Sequence, residues 1–392
     1  MTNVEIEIIR SAFGGDGIGT LDGKTCFVEG ALPGETVIAK VLQDKKTYLR
    51  AHVVKVLVPS KSRVVPPCPY VERCGGCQYQ HVSYEEELRL KETQLRDFFE
   101  RSLGAEGSVV RPIRRSPGEY GTRNSVTLHR TRPDDRRPQR LGFVSRDNKT
   151  MLAVDRCLLA DPRLEGVFRA EQLLPKGKDR MTFRLTREGA VVSDKEEAYP
   201  RIKIGGEALV AGSRGFFQNN LAVTGLLVEQ IALWVHRFRP ANFFDLYAGV
   251  GTFTFLSAGE VPNIFCIEES AASLAALRMN RDERRPQGLE IIEGRVEKAF
   301  PIVLPRAKNG GVMICLDPPR AGLDAHLARF ITAQTGIDQV VYVSCDPATL
   351  ARDLKLILGG GRYTLSEAVP FDMFPRTKHV ETAVLLIRKE GR

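Results

Sequence analysis

The alternation of hydrophobic and polar residues at the start of the chain predicts short β-strands. Val4–Ile8 alternates with a period of two residues, and Val37–Val41 and Ala51–Val56 are also typical of strands. Glycines between these segments mark turns, and they lie at Gly14 to Gly19, Gly23, Gly30 and Gly34. Several short strands within residues 1–59 predict a small closed β-barrel.

From about residue 205 the pattern changes to short apolar strands separated by helical segments. The helical segments are Leu221–Phe238 and Ser270–Arg281. The predicted strands are Asn242–Tyr247, Ile264–Glu268, Val312–Asp317 and Gln339–Ser344. This alternation predicts a βαβ architecture with a parallel sheet, so residues 205–392 form an α/β domain.

Residues 60–204 are predicted to form a central domain between these two. A helix over residues 83–103 has Ser83 as its N-cap, Glu86 as the partner in a capping box, and Gly104 as its end. This helix is a candidate to pack on the C-terminal domain. Strand-like pieces follow at Asn124–His129, Arg140–Val144 and Met181–Leu185.

Charge is concentrated in one part of this central domain. The chain has 57 Lys and Arg against 48 Asp and Glu, a net charge of +9. Residues 111–146 alone contain ten arginines and three acidic residues, an excess of +7. Such a cluster indicates a polyphosphate partner, with an ordinary solvated face as the alternative. The candidates for phosphate contacts are Arg111, Arg114, Arg115, Arg123 and Arg130.

Cysteine usage and hydropathy indicate a reducing compartment. No apolar run approaches the ~18–20 residues of a membrane span, and the N-terminus lacks the pattern of a secretory signal. We therefore expect a cytoplasmic protein without a membrane partner. Three of the eight cysteines are clustered, Cys68, Cys74 and Cys77, and such a cluster in a reducing compartment indicates a metal site. No paired Cys or His follows at short spacing, which disfavours a zinc finger but leaves zinc as an alternative.

A glycine-containing turn follows the first strand of the C-terminal domain. Gly249 and Gly251 permit a tight turn and close approach of a ligand, and Glu268 ends the next strand. The third glycine of a dinucleotide fingerprint is missing. An acid at the end of the second strand suits a ribose diol, so the pattern fits S-adenosylmethionine better than NAD. An ordinary βα turn is the alternative.

Two further strand ends carry reactive side chains. Asp317 precedes two prolines, and Cys345 follows a strand in polar surroundings. Because ligands bind at the carboxyl ends of parallel strands, Glu268, Asp317 and Cys345 should converge on one crevice. Cys345 is a candidate nucleophile, whereas Cys266 and Cys315 lie within apolar strands and fit the alternative of buried, inert thiols.

The whole chain resembles the bacterial RNA uridine-C5 methyltransferases, in the 23S ribosomal RNA branch that has an iron–sulfur cluster and an N-terminal TRAM domain. The residues that carry this resemblance are Cys68 to Gln80, Phe217 to Asn220, Asp245 to Phe255, Asp317 to Leu323, Val343 to Arg352 and Met373 to Thr382. The resemblance implies an OB-like TRAM barrel, a central iron–sulfur and RNA-binding domain, and a Rossmann-like class I methyltransferase domain. The chain departs from the family pattern at Arg376 and Lys378, where we expect altered RNA contacts.

The resemblance also implies roles for individual residues. Cys345 would be the nucleophile, Glu381 the general base and Asp317 an orienting group. Without the motif, the spacing of residues around Glu381 would favour a surface carboxylate on a strand. S-adenosylmethionine would be held by Gln218, Tyr247, Thr252, Glu268 and Asp317. Cys157 would join the clustered cysteines as the fourth ligand of a [4Fe–4S] cluster, so the set is Cys68, Cys74, Cys77 and Cys157.

The expected function is therefore methylation of a uridine in 23S rRNA by a monomer. The transfer RNA T-loop is the alternative substrate with the same chemistry. Two further alternatives need neither Cys345 nor Glu381: an Asp-Pro-Pro type amino-methyltransferase and a non-catalytic iron–sulfur RNA-binding protein. The presence of both side chains favours uridine-C5 methylation.

Overall fold

A computed structural model of the chain describes residues 3–131, 141–169 and 178–389. Part of the arginine cluster, from Arg132 to Arg140, lies outside these ranges, and so does the first residue of the strand predicted at Arg140–Val144.

The N-terminal strands form a closed six-stranded barrel, as predicted. They are β1 (Asn3–Glu7), β2 (Arg10–Ser11), β3 (Gly17–Leu21), β4 (Lys24–Glu29), β5 (Thr36–Asp44) and β6 (Tyr48–Val58), in the order β1-β5-β6-β4-β3-β2. β2 follows almost directly from β1, so one stretch of chain pairs with β5 in its first half and with β3 in its second. This double pairing closes the barrel around a core that includes Ile6, Val28 and Val37.

The central part of the chain contains one long helix and a five-stranded antiparallel sheet. The elements are α1 (Tyr84–Leu103), β7 (Ser125–Arg130), β8 (Leu141–Val144), β9 (Met151–Ala153), α2 (Glu165–Arg169), β10 (Arg180–Leu185), β11 (Val191–Ser193), β12 (Arg201–Ile204) and β13 (Glu207–Val210). The sheet order is β11-β10-β7-β8-β9, and β12 and β13 form a separate hairpin.

The helix predicted over residues 83–103 is present, but its capping box is wrong. Ser83 occupies the N-cap position with an extended backbone, yet its side chain makes no capping hydrogen bond. The carboxylate of Glu86 instead accepts hydrogen bonds from Arg89, at 2.7 Å from Nε. At the other end Gly104 adopts the left-handed conformation and its N–H bonds to the carbonyl of Glu100, as predicted.

The C-terminal domain is a seven-stranded sheet with helices on both faces. Its elements are α3 (Leu221–Phe238), β14 (Asn242–Leu246), α4 (Thr252–Ser257), β15 (Asn263–Glu268), α5 (Ala271–Arg284), β16 (Leu289–Glu293), α6 (Val296–Val303), β17 (Val312–Leu316), α7 (Ala325–Ala333), β18 (Gln339–Ser344), α8 (Pro347–Gly359), β19 (Tyr363–Phe371) and β20 (Glu381–Arg388). The order is β16-β15-β14-β17-β18-β20-β19. β14 to β18 are parallel to one another, β20 is antiparallel to β18, and β19 is antiparallel to β20 and so runs in the same direction as β14 to β18.

Both faces of this sheet are covered, which explains why its strands are apolar on both sides. One core contains α3 and α5, with Trp234 and Leu277 buried in it. The other contains α7 and α8 together with Leu95 and Phe99 of α1. Helix α1 therefore packs on the C-terminal sheet.

Helix α3 qualifies as a candidate membrane span by length and composition, contrary to the hydropathy expectation. It has 18 residues with a mean hydropathy of 1.2. Its apolar side chains Val223, Leu227, Ile231 and Trp234 are buried in the core of the C-terminal domain. A buried core helix passes the same test, so this observation is weak support for a membrane segment.

Candidate active site

The strand register brings three predicted side chains to one edge of the C-terminal sheet. Ser344 at the end of β18 pairs with Thr382 of β20, so Cys345 and Glu381 are neighbours across the antiparallel pair. Leu316 at the end of β17 pairs with Tyr342 of β18, and Asp317 follows it. Cys345, Glu381 and Asp317 therefore converge, because β20 begins at the edge where β17 and β18 end.

Burial shifts the acid–base properties of this group toward the neutral forms. It raises the pKa of Asp317 to about 7, with the charge of Asp245 as a second cause. Burial, and next the charge of Asp317, raises the pKa of Glu381 well above its ordinary value. Burial is also the largest cause that raises the pKa of the Cys345 thiol to about 11, followed by the charge of Glu381. A carboxylate with a raised pKa is a stronger base, as proton abstraction requires.

Sequence reasoning missed Arg320, which belongs to this site. Its guanidinium is near Cys345, and its positive charge lowers the pKa of the thiol against the effect of burial. Arg320 follows Asp317 and two prolines, which restrict the backbone of this turn. The run Asp-Pro-Pro-Arg at a strand end was the available signal.

The turn after β14 has backbone conformations that favour glycine. Gly251 has a φ of 85°, and a Cβ there would come within 2.4 Å of the Phe255 ring. Gly249 has a φ of 57°, with open space where a Cβ would be. Tyr247 adopts the left-handed region at φ 66°, which is uncommon for a residue with a side chain, and its hydroxyl donates to Glu297 at 2.9 Å. Thr252 is the first residue of α4.

Two acidic side chains hold this turn in place. Glu268, at the end of β15, accepts hydrogen bonds from the backbone N–H groups of Gly249, Glu269 and Ser270 at 2.7–2.9 Å. Asp245 accepts from the backbone and the hydroxyl of Thr254 through Oδ2. Its Oδ1 is buried and has no hydrogen-bond partner within the described residues. A buried acceptor without a partner beside an open glycine turn fits a bound ligand with a hydrogen-bond donor.

Gln218 lies on the segment that connects the central sheet to α3. It is buried, with 8% of its surface exposed. The next residue, Asn219, accepts a hydrogen bond from the backbone of Ser125 at 3.1 Å, and Asn220 caps α3 through Val223. Gln218 is thus held between the two domains by its neighbours.

The four predicted cysteine ligands line a single cavity. Cys68, Cys74, Cys77 and Cys157 surround a space of about 40 Å³, together with Arg123. In residues 3–131, 141–169 and 178–389, however, no three side chains of His, Cys, Asp or Glu lie close enough together to hold a metal ion. The four thiols therefore lie around one cavity, but their positions do not support the predicted metal site.

Most of the described candidates for phosphate contacts have protein partners. Arg111 lies 3.7 Å from Glu367, and Arg115 lies 3.0 Å from Glu85. Arg130 donates to the carbonyl of Lys178, and Arg123 lines the cysteine cavity. Exposed pairs such as those of Arg111 and Arg115 contribute little stability, about 0–1 kcal/mol, so they can exchange for phosphate at low cost.

Comparison with known proteins identifies two segments of the chain and its fold. Residues 2–54 match the TRAM domain, and residues 301–389 match the tRNA (Uracil-5-)-methyltransferase family. A solved structure of the *Pyrococcus abyssi* tRNA (uracil-54, C5)-methyltransferase with S-adenosyl-L-homocysteine superimposes with a TM-score of 0.70. It is 24% identical and covers 97% of this chain and 99% of that one. The fold is therefore that of a class I methyltransferase with an N-terminal TRAM domain.

Relatives extend over nearly the full chain. An uncharacterised RNA methyltransferase of *Thermotoga maritima* is 29% identical, covering 98% of this chain and 99% of that protein. The 23S rRNA (uracil(1939)-C(5))-methyltransferase RlmD of *Aliivibrio fischeri* is 27% identical, covering 98% and 96%. Over nearly its full length the chain is therefore similar to RNA methyltransferases, and its C-terminal part matches the tRNA (Uracil-5-)-methyltransferase family.

Proposed function

We propose that this chain methylates C5 of a uridine in 23S rRNA, with Cys345 as nucleophile and Glu381 as general base. The observation that carries the proposal is the adjacency of these two residues across β18 and β20, beside Asp317 and Arg320. Methylation of an exocyclic amino group requires neither a thiol nor a second carboxylate, so this pair favours C5 chemistry over the amino-methyltransferase alternative.

The proposed chemistry overcomes the poor nucleophilicity of uracil C5. The Cys345 thiolate forms a bond to C6, which moves electron density onto C5 and O4. C5 then forms a bond to the methyl group of the donor, whose bond to sulfur breaks and leaves its electron pair on sulfur as a neutral thioether. Glu381 removes the remaining proton from C5, the C6–S bond breaks, and its electron pair returns to Cys345. Asp317 orients the uracil edge or the cofactor, and Arg320 stabilises the thiolate form of Cys345.

S-adenosylmethionine, when bound, supplies an electrophilic methyl group on a sulfonium. Gln218, Tyr247, Thr252, Glu268 and Asp317 are proposed to hold it. The fit is supported by the open glycine turn at Gly249 and by the unpartnered acceptor of Asp245. Glu268 would exchange some of its backbone hydrogen bonds for ribose hydroxyls.

We propose a [4Fe–4S] cluster bound by Cys68, Cys74, Cys77 and Cys157. The shared cavity supports this assignment, because four thiolates are the usual ligands of such a cluster. A mononuclear zinc site bound by the same four thiolates is the alternative, and the metal content of the purified protein distinguishes the two. The cluster would be structural, since the proposed methyl transfer contains no redox step.

Ribosomal RNA is favoured as substrate by the relatives that carry a 23S rRNA name. The proteins of *Aliivibrio fischeri* and *Vibrio parahaemolyticus* cover 95% or more of their own length in the match. A transfer RNA substrate is the second candidate, supported by the fold shared with the *Pyrococcus abyssi* enzyme. The TRAM domain and the arginines of the central domain would bind RNA phosphates. We propose that the protein acts as a cytoplasmic monomer.

Mass spectrometry of RNA from cells that lack this chain tests the substrate. We expect 5-methyluridine to disappear from one 23S rRNA fragment and to return on complementation. Loss from transfer RNA alone would refute the ribosomal assignment. If no RNA loses 5-methyluridine, in cells that have no second enzyme for the same site, the result would favour the alternative that this chain is a non-catalytic RNA-binding protein.

The Cys345→Ala variant tests the covalent mechanism. We expect it to bind RNA and S-adenosylmethionine as the wild type does, because the substitution removes only the thiol. Methyl transfer to unmethylated RNA should fall below detection, measured with a tritiated methyl donor. Normal turnover by this variant would exclude Cys345 as nucleophile.

A further inference from the structure

The loop that leads into Glu381 is fixed by buried charges. Residues 372–380 connect β19 to β20, and Phe371 pairs with Glu381 at the base of this loop. Arg376, near its middle, is only 4% exposed and has a φ of 65°. A left-handed backbone at a residue with a side chain persists where surrounding contacts determine it.

Arg376 makes contacts through its backbone and its guanidinium with the segment that follows the cysteines. Its carbonyl accepts hydrogen bonds from the N–H groups of Gln78 and Tyr79, both at 3.1 Å. Its Nη1 donates to the carbonyls of Val82 at 2.7 Å and Tyr79 at 3.3 Å. The middle of the loop is therefore attached to the chain directly after Cys77.

Arg376 also has acidic partners. Its backbone N–H donates to Glu87 of α1 at 2.7 Å, and its guanidinium forms ion pairs with Glu87 and Glu119. The guanidinium lies 5.4 Å from the centre of the Tyr84 ring and 5.3 Å from that of Tyr120. An arginine can satisfy this set because its planar group donates in several directions and stacks on aromatic rings.

A second contact of α1 holds the start of the same loop. Lys91 donates to Asp372 at 2.6 Å and to Glu87 at 2.7 Å, and Tyr84 donates to Asp372 at 2.7 Å. Glu87 is thus shared by Lys91 and Arg376. These side chains form one buried network that fixes the loop at two points, Asp372 and Arg376.

We propose that Arg376 is a positioning residue for Glu381. The inference rests on the proposed function, in which Glu381 removes the C5 proton. Glu381 is the first residue of β20, so the path of the preceding loop determines where its carboxylate lies. Arg376 is the residue of that loop with contacts to α1, to Glu119 and to the segment after Cys77, and it therefore sets this path.

Because Arg376 is buried, the expectation that it alters RNA contacts is wrong. Its side chain is enclosed by Tyr84, Tyr120 and Glu87 and does not present its charge to RNA. Lys378 in the same loop is exposed and remains available for that role.

The Arg376→Gln variant tests the proposal through the step that should fail. If Glu381 is displaced, Cys345 still adds to uracil and the methyl group is still transferred, but the C5 proton is removed slowly. We expect a methylated protein–RNA adduct that survives denaturing electrophoresis. Release of product should slow by about tenfold or more, while single-turnover methyl incorporation changes by less than about threefold. The substrate is total RNA from cells lacking the chain, with a tritiated methyl donor.

Two further variants separate positioning from folding. Glu119→Gln removes one ion-pair partner of Arg376 but keeps the buried pair with Glu87, and it should give the same adduct more weakly. Arg237→Gln is the matched control, because it removes a surface pair with Glu367 on the same hairpin; it should give no adduct above wild type. Thermal melting of each variant reports the folded fraction.

The experiment distinguishes failure of the role proposed for Arg376 from failure of the proposed function. If wild type methylates no RNA, the proposed function fails, and this inference fails with it. If wild type is active and both Arg376→Gln and Glu119→Gln release product at wild-type rates, Arg376 does not position Glu381. If both lose methyl incorporation only in proportion to the loss of folded protein, Arg376 is a stability residue and the proposal is overturned.

Discussion

Replacing Glu381 by glutamine should make Cys345 more reactive toward a simple electrophile while making the enzyme unable to release product. Burial raises the pKa of Cys345 from its ordinary value of 9.0 to about 11, and the charge of Glu381 is the second cause. Glutamine has nearly the same shape without the charge. Removing a negative neighbour stabilises the thiolate, so the pKa of Cys345 should fall.

The size of this effect depends on the ionisation of both groups. At pH 8 a thiol with a pKa of about 11 is ionised in roughly one molecule in a thousand, and this fraction rises about tenfold per pH unit. Glu381 acts on the thiol only where its carboxyl group is ionised, and burial raises the pKa of Glu381 as well, so the difference between variant and wild type should grow as pH rises. A fall of about one unit in the pKa of Cys345 would raise its alkylation rate about tenfold at a fixed pH, which gives the order of magnitude of the expected gain.

The assay is alkylation by iodoacetamide between pH 7 and 10, followed by peptide mass spectrometry of the Cys345 peptide. The chain has eight cysteines, so the rate must be read at that peptide, with Cys345→Ala as the blank. The same variant, given unmethylated RNA and the methyl donor, should accumulate the covalent adduct. Alkylation that is unchanged or slower in Glu381→Gln would refute the electrostatic coupling between these residues.

Two predictions concern stability and the cysteine site. Lys91→Met leaves Glu87 and Asp372 buried without their shared cation, and it should cost about 3–5 kcal/mol of unfolding free energy at pH 8. Burial already raises the pKa of Glu87 to about 7, so the folded variant gains protons as pH falls. The loss, measured by denaturant titration, should therefore shrink toward pH 5, and an equal loss at both pH values would contradict this reasoning. Cys74→Ser, purified without oxygen, should lose iron and visible absorption; wild-type iron content would count against the proposed cluster.

Regular elements were predictable because their signals are local. The strand at Gln339–Ser344 and the helix at Leu221–Phe238 have the predicted bounds, since uninterrupted apolar runs identify buried elements. The capping box failed because Glu86 has a competing partner, Arg89, one helical turn away. The direction of β20 was not predictable either, because a buried apolar strand has the same composition whether it is parallel or antiparallel.

Some residues of the candidate site were also predictable from local sequence signals, and others were not. Cys345 and Asp317 follow strands, and their convergence follows from the general rule for parallel sheets. Glu381 begins an antiparallel strand, so only the family motif indicated it. The burial of Arg376 had no signal in the sequence, because its partner Glu87 lies 289 positions away.

The electrostatics of the site place opposite demands on its two reactive groups. Burial makes Glu381 a stronger base, but the same burial, together with the charge of Glu381, keeps the Cys345 thiol protonated. Arg320 is the neighbour that acts in the other direction on Cys345, and it is exposed to water in the free protein. Covering Arg320 with RNA would remove that water and strengthen its interaction with the thiolate. We therefore expect Cys345 to ionise when RNA is bound, so that the nucleophile forms only beside its substrate.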